Sequence, residues 1–274
     1  MNFDEMKKIK NDAELVNAVY HFFDEKNRLN RSKAARVEFT TTVKYIEKYL
    51  KQGIRILDIG AGAGEYSLYF ANKGYRVDAV ELADKNVEEF RKRITSNIDL
   101  ELRQGNALNL SDFENETFDI VLLLGPLYHL HEEKDRNTAI REAKRVLKKD
   151  GILFAAFINN DMIPYTEWIH DPDYLLTGDY DKETFKTADF PFVFFNLNQC
   201  REMLACNDLE ILHEVASDGM SELLEDQINK LDDTGYTQYL KMHLFYCERP
   251  EHLGKTNHFL FAAKKPALQC KPID

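Results

Sequence analysis

The chain has little of what staples or anchors a protein from outside its core. Its 274 residues include four cysteines, seven prolines and one tryptophan. Cys200, Cys206, Cys247 and Cys270 show no C-x-x-C pairing and no zinc-ligand spacing. They read as reduced thiols rather than a disulfide framework, and no metal is expected. No stretch approaches the ~20 consecutive apolar residues of a membrane span. The opening MNFDEMKKIKNDAEL lacks the apolar run of a secretory leader. Basic charge is also short: 36 Lys and Arg stand against 47 Asp and Glu, for a formal net charge of −11. That balance argues against non-specific binding to nucleic acid or to an anionic membrane. The expectation is a cytoplasmic protein with neither partner, its oligomeric state unread. Internal repeats and low-complexity tracts are absent.

What is present is length and core. With 44% hydrophobic and 30% charged residues, the chain can build one large domain or a domain with inserted parts. The richest stretch runs from Ile54 to Glu81. Ile54, Ile56, Leu57 and Ile59 form a short apolar run suited to a parallel strand buried on both faces. Gly60, Gly62 and Gly64 follow at alternate positions and predict a tight turn open to a ligand. Glu65 to Lys73 reads as a helix with Tyr66, Tyr69 and Phe70 on one face, and Gly74 suits the position past its end. Arg76 to Val80 reads as a second strand, with Glu81 at its carboxyl end. Ligands of open α/β sheets bind outside those ends, where a carboxylate can accept both hydroxyls of a ribose.

The alternation continues. Asp84–Thr95 predicts a helix, with Asp84 as its cap. Leu100–Arg103 and Phe118–Leu124 predict strands, Asp135–Leu147 a helix, and Ile152–Ile158 a fifth strand. Helices between strands imply a parallel sheet covered on both faces. Beyond it lie a helix at Asn198–Cys206, a strand at Leu209–Val215, one or two polar helices over Ser221–His243, and a last strand at His258–Ala263.

The glycine turn is G-x-G-x-G, not the G-x-G-x-x-G of dinucleotide sites, and Asp58 stands two residues before it. An anion there sits badly beside a pyrophosphate and well beside an amino group. Asp58, the three glycines and Glu81 together resemble the first motifs of the class I S-adenosylmethionine-dependent methyltransferases, of the bacterial small-molecule type. The resemblance covers residues 50–160 well and 195–266 by pattern. It implies an α/β fold: a doubly wound, mostly parallel seven-stranded sheet, Rossmann-like, with an antiparallel last strand. It also implies S-adenosyl-L-methionine as cofactor and a small-molecule acceptor that takes the methyl group by in-line displacement. Asp58, Gly60 and Gly62 would hold the methionyl end, with Ala61 beside them. Glu81 would hold the ribose, with Leu82 next to it. Asn106 and Ala107 would meet the adenine, and Leu124 the methionyl part. An acidic residue is commoner than Asn106 at its position.

Leu124-Gly125-Pro126-Leu127-Tyr128-His129-Leu130 follows the fourth strand and looks like a string of bacterial small-molecule members. It lacks the Asn/Asp-Pro-Pro-aromatic motif of base and amide N-methyltransferases. Tyr128 and His129 would face the acceptor, and a histidine there can take a proton, although positioning alone supplies much of the rate of such a displacement.

Two segments flank this frame. Residues 1–52 predict a helical cap, with apolar stripes at Leu15, Val16, Val19, Tyr20 and at Phe39, Val43, Ile46, Leu50. Ser32 is expected to cap the second helix. The cluster Arg28, Arg31, Lys33, Arg36 is either a solvated helix start or a cation source, Arg31 or Arg36 meeting the cofactor's carboxylate. Residues 53–274 form the methyltransferase-like domain, with inserts at 158–195 and 217–256. Between Phe157 and Leu197 lie ten aromatics, eight Asp or Glu and two Lys. This is either a second small core or a lid suited to a cationic or amine-bearing acceptor. Two other functions stay open: a nicotinamide-dependent oxidoreductase, and a non-catalytic S-adenosylmethionine-binding protein.

Overall fold

Each short apolar run becomes a strand of one sheet. In the computed structural model, which describes residues 3–266, these are β1 (Arg55–Ile59), β2 (Arg76–Glu81), β3 (Leu100–Gln104), β4 (Phe118–Leu123), β5 (Leu147–Asn159), β6 (Phe194–Phe195), β7 (Glu210–Ala216) and β8 (His258–Lys264). Seven strands follow the order β3-β2-β1-β4-β5-β8-β7, and the two-residue β6 joins the end of β5. Neighbours from β3 to β5 pair parallel, whereas β8 runs antiparallel to both β5 and β7. The mostly parallel α/β sheet expected from the sequence is the fold observed.

β5 is longer at both ends than its apolar run predicts. Its partner β4 changes register between Phe118 and Ile120, so Lys148 to Gly151 loop out of the ladder between Leu147 and Ile152. Asp150, with φ +60°, makes that bulge where the sequence suggests a plain turn. At the far end, β6 and β8 both pair with Ile158 and hold the strand past the last β4 partner, Ala155.

Alternation along the strands divides the apolar residues between two cores. Leu57, Ile59, Val121 and Leu153 pack with Ala139, Ile140, Ala143 and Val146 of the helix Glu133–Val146, and with Cys200 and Leu204 of Leu197–Cys206. Ile56, Val77, Ile120 and Phe154 face the other way, onto Phe39, Val43 and Ile46 of Arg36–Glu47 and onto Tyr66 and Phe70 of Glu65–Asn72. Such two-sided burial is the main source of stability for a parallel sheet. Asn196 and Gln199 close a capping box that starts Leu197–Cys206. Asp84 is the first residue of its helix rather than its cap, since Ala83 holds that place. Ser32 is likewise not the cap of Arg36–Glu47; its hydroxyl accepts from the Ala35 amide, 3.1 Å, in the turn ahead of the helix.

Before β1 lie the helices Phe3–Met6, Asp12–Phe22, Glu25–Arg28 and Arg36–Glu47; between β7 and β8 lie Glu225–Asn229, Asp233–Tyr246 and Pro250–Leu253. Cys200, Cys206 and Cys247 are free thiols, while Cys270 falls outside the described residues. Among the described residues no helix is long and apolar enough to cross a membrane.

Candidate active site

The chain leaves β1 toward β2 and β3, then returns to lay β4 on the other side of β1. That reversal opens a crevice at the carboxyl ends of β1 and β4, the place where such sheets bind ligands. The glycine turn after β1 is tied to β2, because the amides of Gly60 and Ala61 both donate to the Val80 carbonyl (2.8 and 3.1 Å). The turn after β4 presses on it: a Cβ on Gly60 would lie 2.7 Å from the Pro126 ring. Glu81 ends β2 with its carboxylate drawn toward the turn. One oxygen accepts from the Gly62 amide (2.7 Å), the other from the Ala83 amide (2.8 Å) and from Asn86 Nδ2 (3.4 Å).

A cavity of about 340 Å³ occupies this crevice. Gly60, Glu81, Leu82, Asn106, Ala107 and His129 line it, so six of the residues singled out in the sequence meet there. Asp58, Ala61, Gly62, Leu124 and Tyr128 do not line it. Asp58 is buried and accepts a 2.6 Å bond from the Ser67 hydroxyl. The Gly62 amide is taken by Glu81. Leu124 packs against both cores. Tyr128 is buried edge-on to Phe192 of the aromatic insert, and its carbonyl accepts from the Val193 amide at 2.8 Å. Asn106 uses its side-chain oxygen to close an Asx turn on the Leu108 amide (3.0 Å), which leaves that oxygen one further lone pair.

The far wall comes from a part of the chain whose sequence shows only an apolar stripe. Lys10 to Ala13, Val16 and Tyr20 cover the cavity. Two contacts clasp this helix to the loop after β4. Tyr20 Oη and His129 Nε2 share a 2.9 Å hydrogen bond, and Asp12 accepts from the His131 amide and meets His131 Nδ1 at 2.7 Å. A third contact, from the Asp84 amide to Asn17 Oδ1 (3.0 Å), ties it to the loop after β2.

Burial sets the protonation of these groups. It pushes the Asp58 carboxyl up to about 7, against the Ser67 bond, and raises Glu81 despite its two backbone donors. It pushes His129 down to about 3, helped by His131 and Arg28, so this imidazole is neutral at physiological pH. The polar lining fits a cationic sulfonium nucleoside: Asp12, Glu81, Glu132 and Asp135 supply carboxylates, and Asn106 an amide, around an interior of suitable size.

A second polar cluster lies farther along the same edge of the sheet. His258 Nδ1 at the start of β8 meets Asp218 Oδ2 at 2.7 Å and Glu38 Oε2 at 3.8 Å. Among the described residues, these three form the one group of histidine, cysteine or carboxylate ligand atoms gathered within 4.8 Å. Asp218 also accepts from the amides of Asn257 and His258 (2.9 and 3.1 Å) and from the Thr256 hydroxyl. Burial alone would lower His258, but Glu38 and Asp218 outweigh it and raise the imidazole to about 9. A raised folded-state pKa stabilises the fold below the unfolded value and loses that stabilisation as pH climbs through the folded one. The Tm is therefore expected to fall between about pH 6.5 and 9. A His258→Gln protein should show a flatter profile over that window by circular dichroism, and an unchanged slope would remove His258 as the cause.

Comparison with known proteins agrees with this geometry. Residues 57–155 match the model of a methyltransferase domain. The ubiquinone biosynthesis O-methyltransferase of Methylocella silvestris is 32% identical over 53% of this chain and 55% of its own length. The (S)-coclaurine N-methyltransferase of Thalictrum flavum subsp. glaucum is 30% identical over 58% of this chain and 42% of its own. The chain thus spans about half the length of these curated relatives. In structure, an S-adenosylmethionine-dependent methyltransferase from Methanosarcina mazei superposes with a TM-score of 0.55 at 23% identity, over 82% of this chain and 98% of that one. Residues 57–155 thus match a methyltransferase domain, and the chain has the fold of S-adenosylmethionine-dependent methyltransferases.

Proposed function

We propose that this protein transfers a methyl group to a small-molecule acceptor, in the cytoplasm, with Glu81 as the principal cofactor ligand. The observation that carries this is the Glu81 carboxylate at the end of β2, lining one cavity with Gly60, Asn106 and Ala107. S-adenosylmethionine bound there supplies a methyl group already activated on a sulfonium. The protein's part is to hold, orient and exclude water. Glu81 would accept the ribose hydroxyls, Asn106 and Ala107 would meet the adenine, and Leu82 would border the ribose. Asp58 would act from behind the glycine turn, through water or a small shift, with Gly60, Ala61 and Gly62 as backbone floor and Leu124 beside them.

The acceptor would meet the turn at Tyr128 and His129. His129 is neutral, and its Nε2 already has Tyr20 as partner. It is better suited to fixing that tyrosine than to storing a proton. Residues 1–52 act in this reading as a cap and the 158–195 insert as a lid, with Phe192 against both Tyr128 and His129. Carboxylates and aromatic faces around this wall favour an amine-bearing acceptor. The two curated relatives act, by name, at oxygen and at nitrogen, so the acceptor atom is tested directly. In a methyl-transfer screen from labelled cofactor, amines are expected to turn over at least about tenfold faster than neutral alcohols of the same size. Equal rates would overturn the amine preference. Failure of S-adenosylhomocysteine to bind at millimolar concentration by calorimetry would overturn the cofactor assignment itself.

A further inference from the structure

The open face of the glycine turn is covered by a charged pair. At Gly62, with φ +56°, a Cβ would lie 3.1 Å from Glu25 Cγ and 3.3 Å from Glu25 Oε1. That same Oε1 accepts from Arg28 Nε at 3.2 Å. Arg28 reaches on to Glu38, donating from both terminal nitrogens (2.7 and 3.4 Å). The cation therefore holds two carboxylates unequally, Glu38 with two bonds, one of 2.7 Å, and Glu25 with a single bond of 3.2 Å. The two basic residues favoured by the sequence are committed elsewhere. Arg31 is exposed and faces Glu225 at 3.7 Å, and Arg36 pairs with Glu65 at 3.0 Å.

We propose that Glu25 is an internal competitor for the cofactor: its carboxylate and the cofactor's methionyl carboxylate claim the same cation, Arg28, and the same space over Gly62. This rests on the cofactor assignment above and assigns both residues a role within it. Exchange of one carboxylate for another leaves Arg28 neutralised, and the bond given up is its weaker one. It also removes a like charge that acts on Glu81. Glu25 is free to leave at low cost, because it opens a four-residue helix with no side-chain cap.

The test is calorimetry on the full chain with two ligands: S-adenosylhomocysteine, and 5′-methylthioadenosine, which keeps the nucleoside and thioether but has no carboxylate. Glu25→Ala is expected to bind S-adenosylhomocysteine about tenfold tighter, because a competing arrangement is removed. Arg28→Gln is expected to bind it about 30-fold more weakly, the loss of a charge-assisted bond. Neither change should move methylthioadenosine by more than about twofold, since a uniform effect would be structural. Should Arg28→Gln fail to fold by circular dichroism, Arg28→Lys serves, with an expected loss of about fivefold because the fork is gone and the charge is kept. Weaker or unchanged binding in Glu25→Ala, or equal shifts for both ligands, would overturn the proposal while the cofactor assignment stands. Wild-type protein that binds neither ligand would overturn both.

Discussion

Replacing Gly64 by alanine is expected to destabilise the protein by about 3–5 kcal/mol, the largest effect of any single methyl group considered. Two independent penalties meet at this position. The backbone has φ +84°, where an L side chain is strained, and a Cβ would stand 2.2 Å from Phe90 Cε2 and 2.3 Å from its Cδ2. Phe90 cannot yield, because its ring is fully buried among Leu68 and Ala79, with Ile94, Ile98, Leu100 and Leu102 around them. The strain therefore passes into the start of the helix Glu65–Asn72 and the turn ahead of it. Thermal unfolding should move down by roughly 10 °C for a chain of this size. Gly74→Ala is the control. It has a similar φ of +89° but nothing within 4 Å of the added carbon, so only backbone strain of about 1–2 kcal/mol remains. If the two variants melt together, the contact with Phe90 is not what fixes glycine at position 64.

Glu81→Ala is expected to weaken S-adenosylhomocysteine binding by about 100-fold or more, the sum of two hydrogen bonds to a charged acceptor. One carboxylate oxygen holds the Gly62 amide, and the other holds the Ala83 amide and, at 3.4 Å, Asn86 Nδ2. The open lone pair of the first oxygen, and the second oxygen by exchange of its long Asn86 bond, can serve the cavity that the residue lines. The variant thus loses the proposed ribose acceptor and frees two buried amides of the loops that shape the floor. Melting with and without ligand separates these effects. Saturating ligand at about 100 Kd should stabilise the wild type by about 2.7 kcal/mol and the variant hardly at all. A Glu81→Ala protein that binds normally would leave the ribose contact to some other residue.

How much of this was legible beforehand follows the range of the interactions. The segment from Ile54 to Glu81 folds as its sequence predicts because each signal in it is local: a short apolar run, a glycine turn, a helical stripe, a carboxylate at a strand end. The same holds for the helices after β2 and β4, Asp84–Arg93 and Glu133–Val146, and for the polar segment that becomes Glu225–Asn229 and Asp233–Tyr246. Errors collect where a neighbour decides. β5 is extended by strands that meet it from residues 194 and 258, and its bulge comes from the register of β4. In the site, Glu81, Asn106 and His129 were readable from their place after strands. Tyr20, which lines the cavity, and the proposed pair Glu25 and Arg28 are not, because nothing in a helical stripe says which loop it will cover. Arg28 belongs to the basic cluster of residues 28–36, within which the sequence points to Arg31 and Arg36. The exposure of Arg31 and the pairing of Arg36 with Glu65 are long-range facts.

The reversed direction of β8 has a mechanical consequence. Because β7 runs with β5 and β8 runs against it, the chain leaves the sheet at Ala216 and comes back at His258 on the same edge, with the Ser217 amide bonded to the His258 carbonyl at 3.1 Å. Residues 217–257 therefore form a handle with both feet on the same rim of the sheet, packed on the N-terminal helices through His243 and Cys247. Every other crossover between parallel strands must pass from one rim to the opposite one, so its length is fixed by the width of the sheet. The handle carries no such constraint. Its length can vary without changing the order of the strands, provided that the bonds of Asn229, Tyr236 and His243 to Ala34, Lys33 and Thr41 are kept.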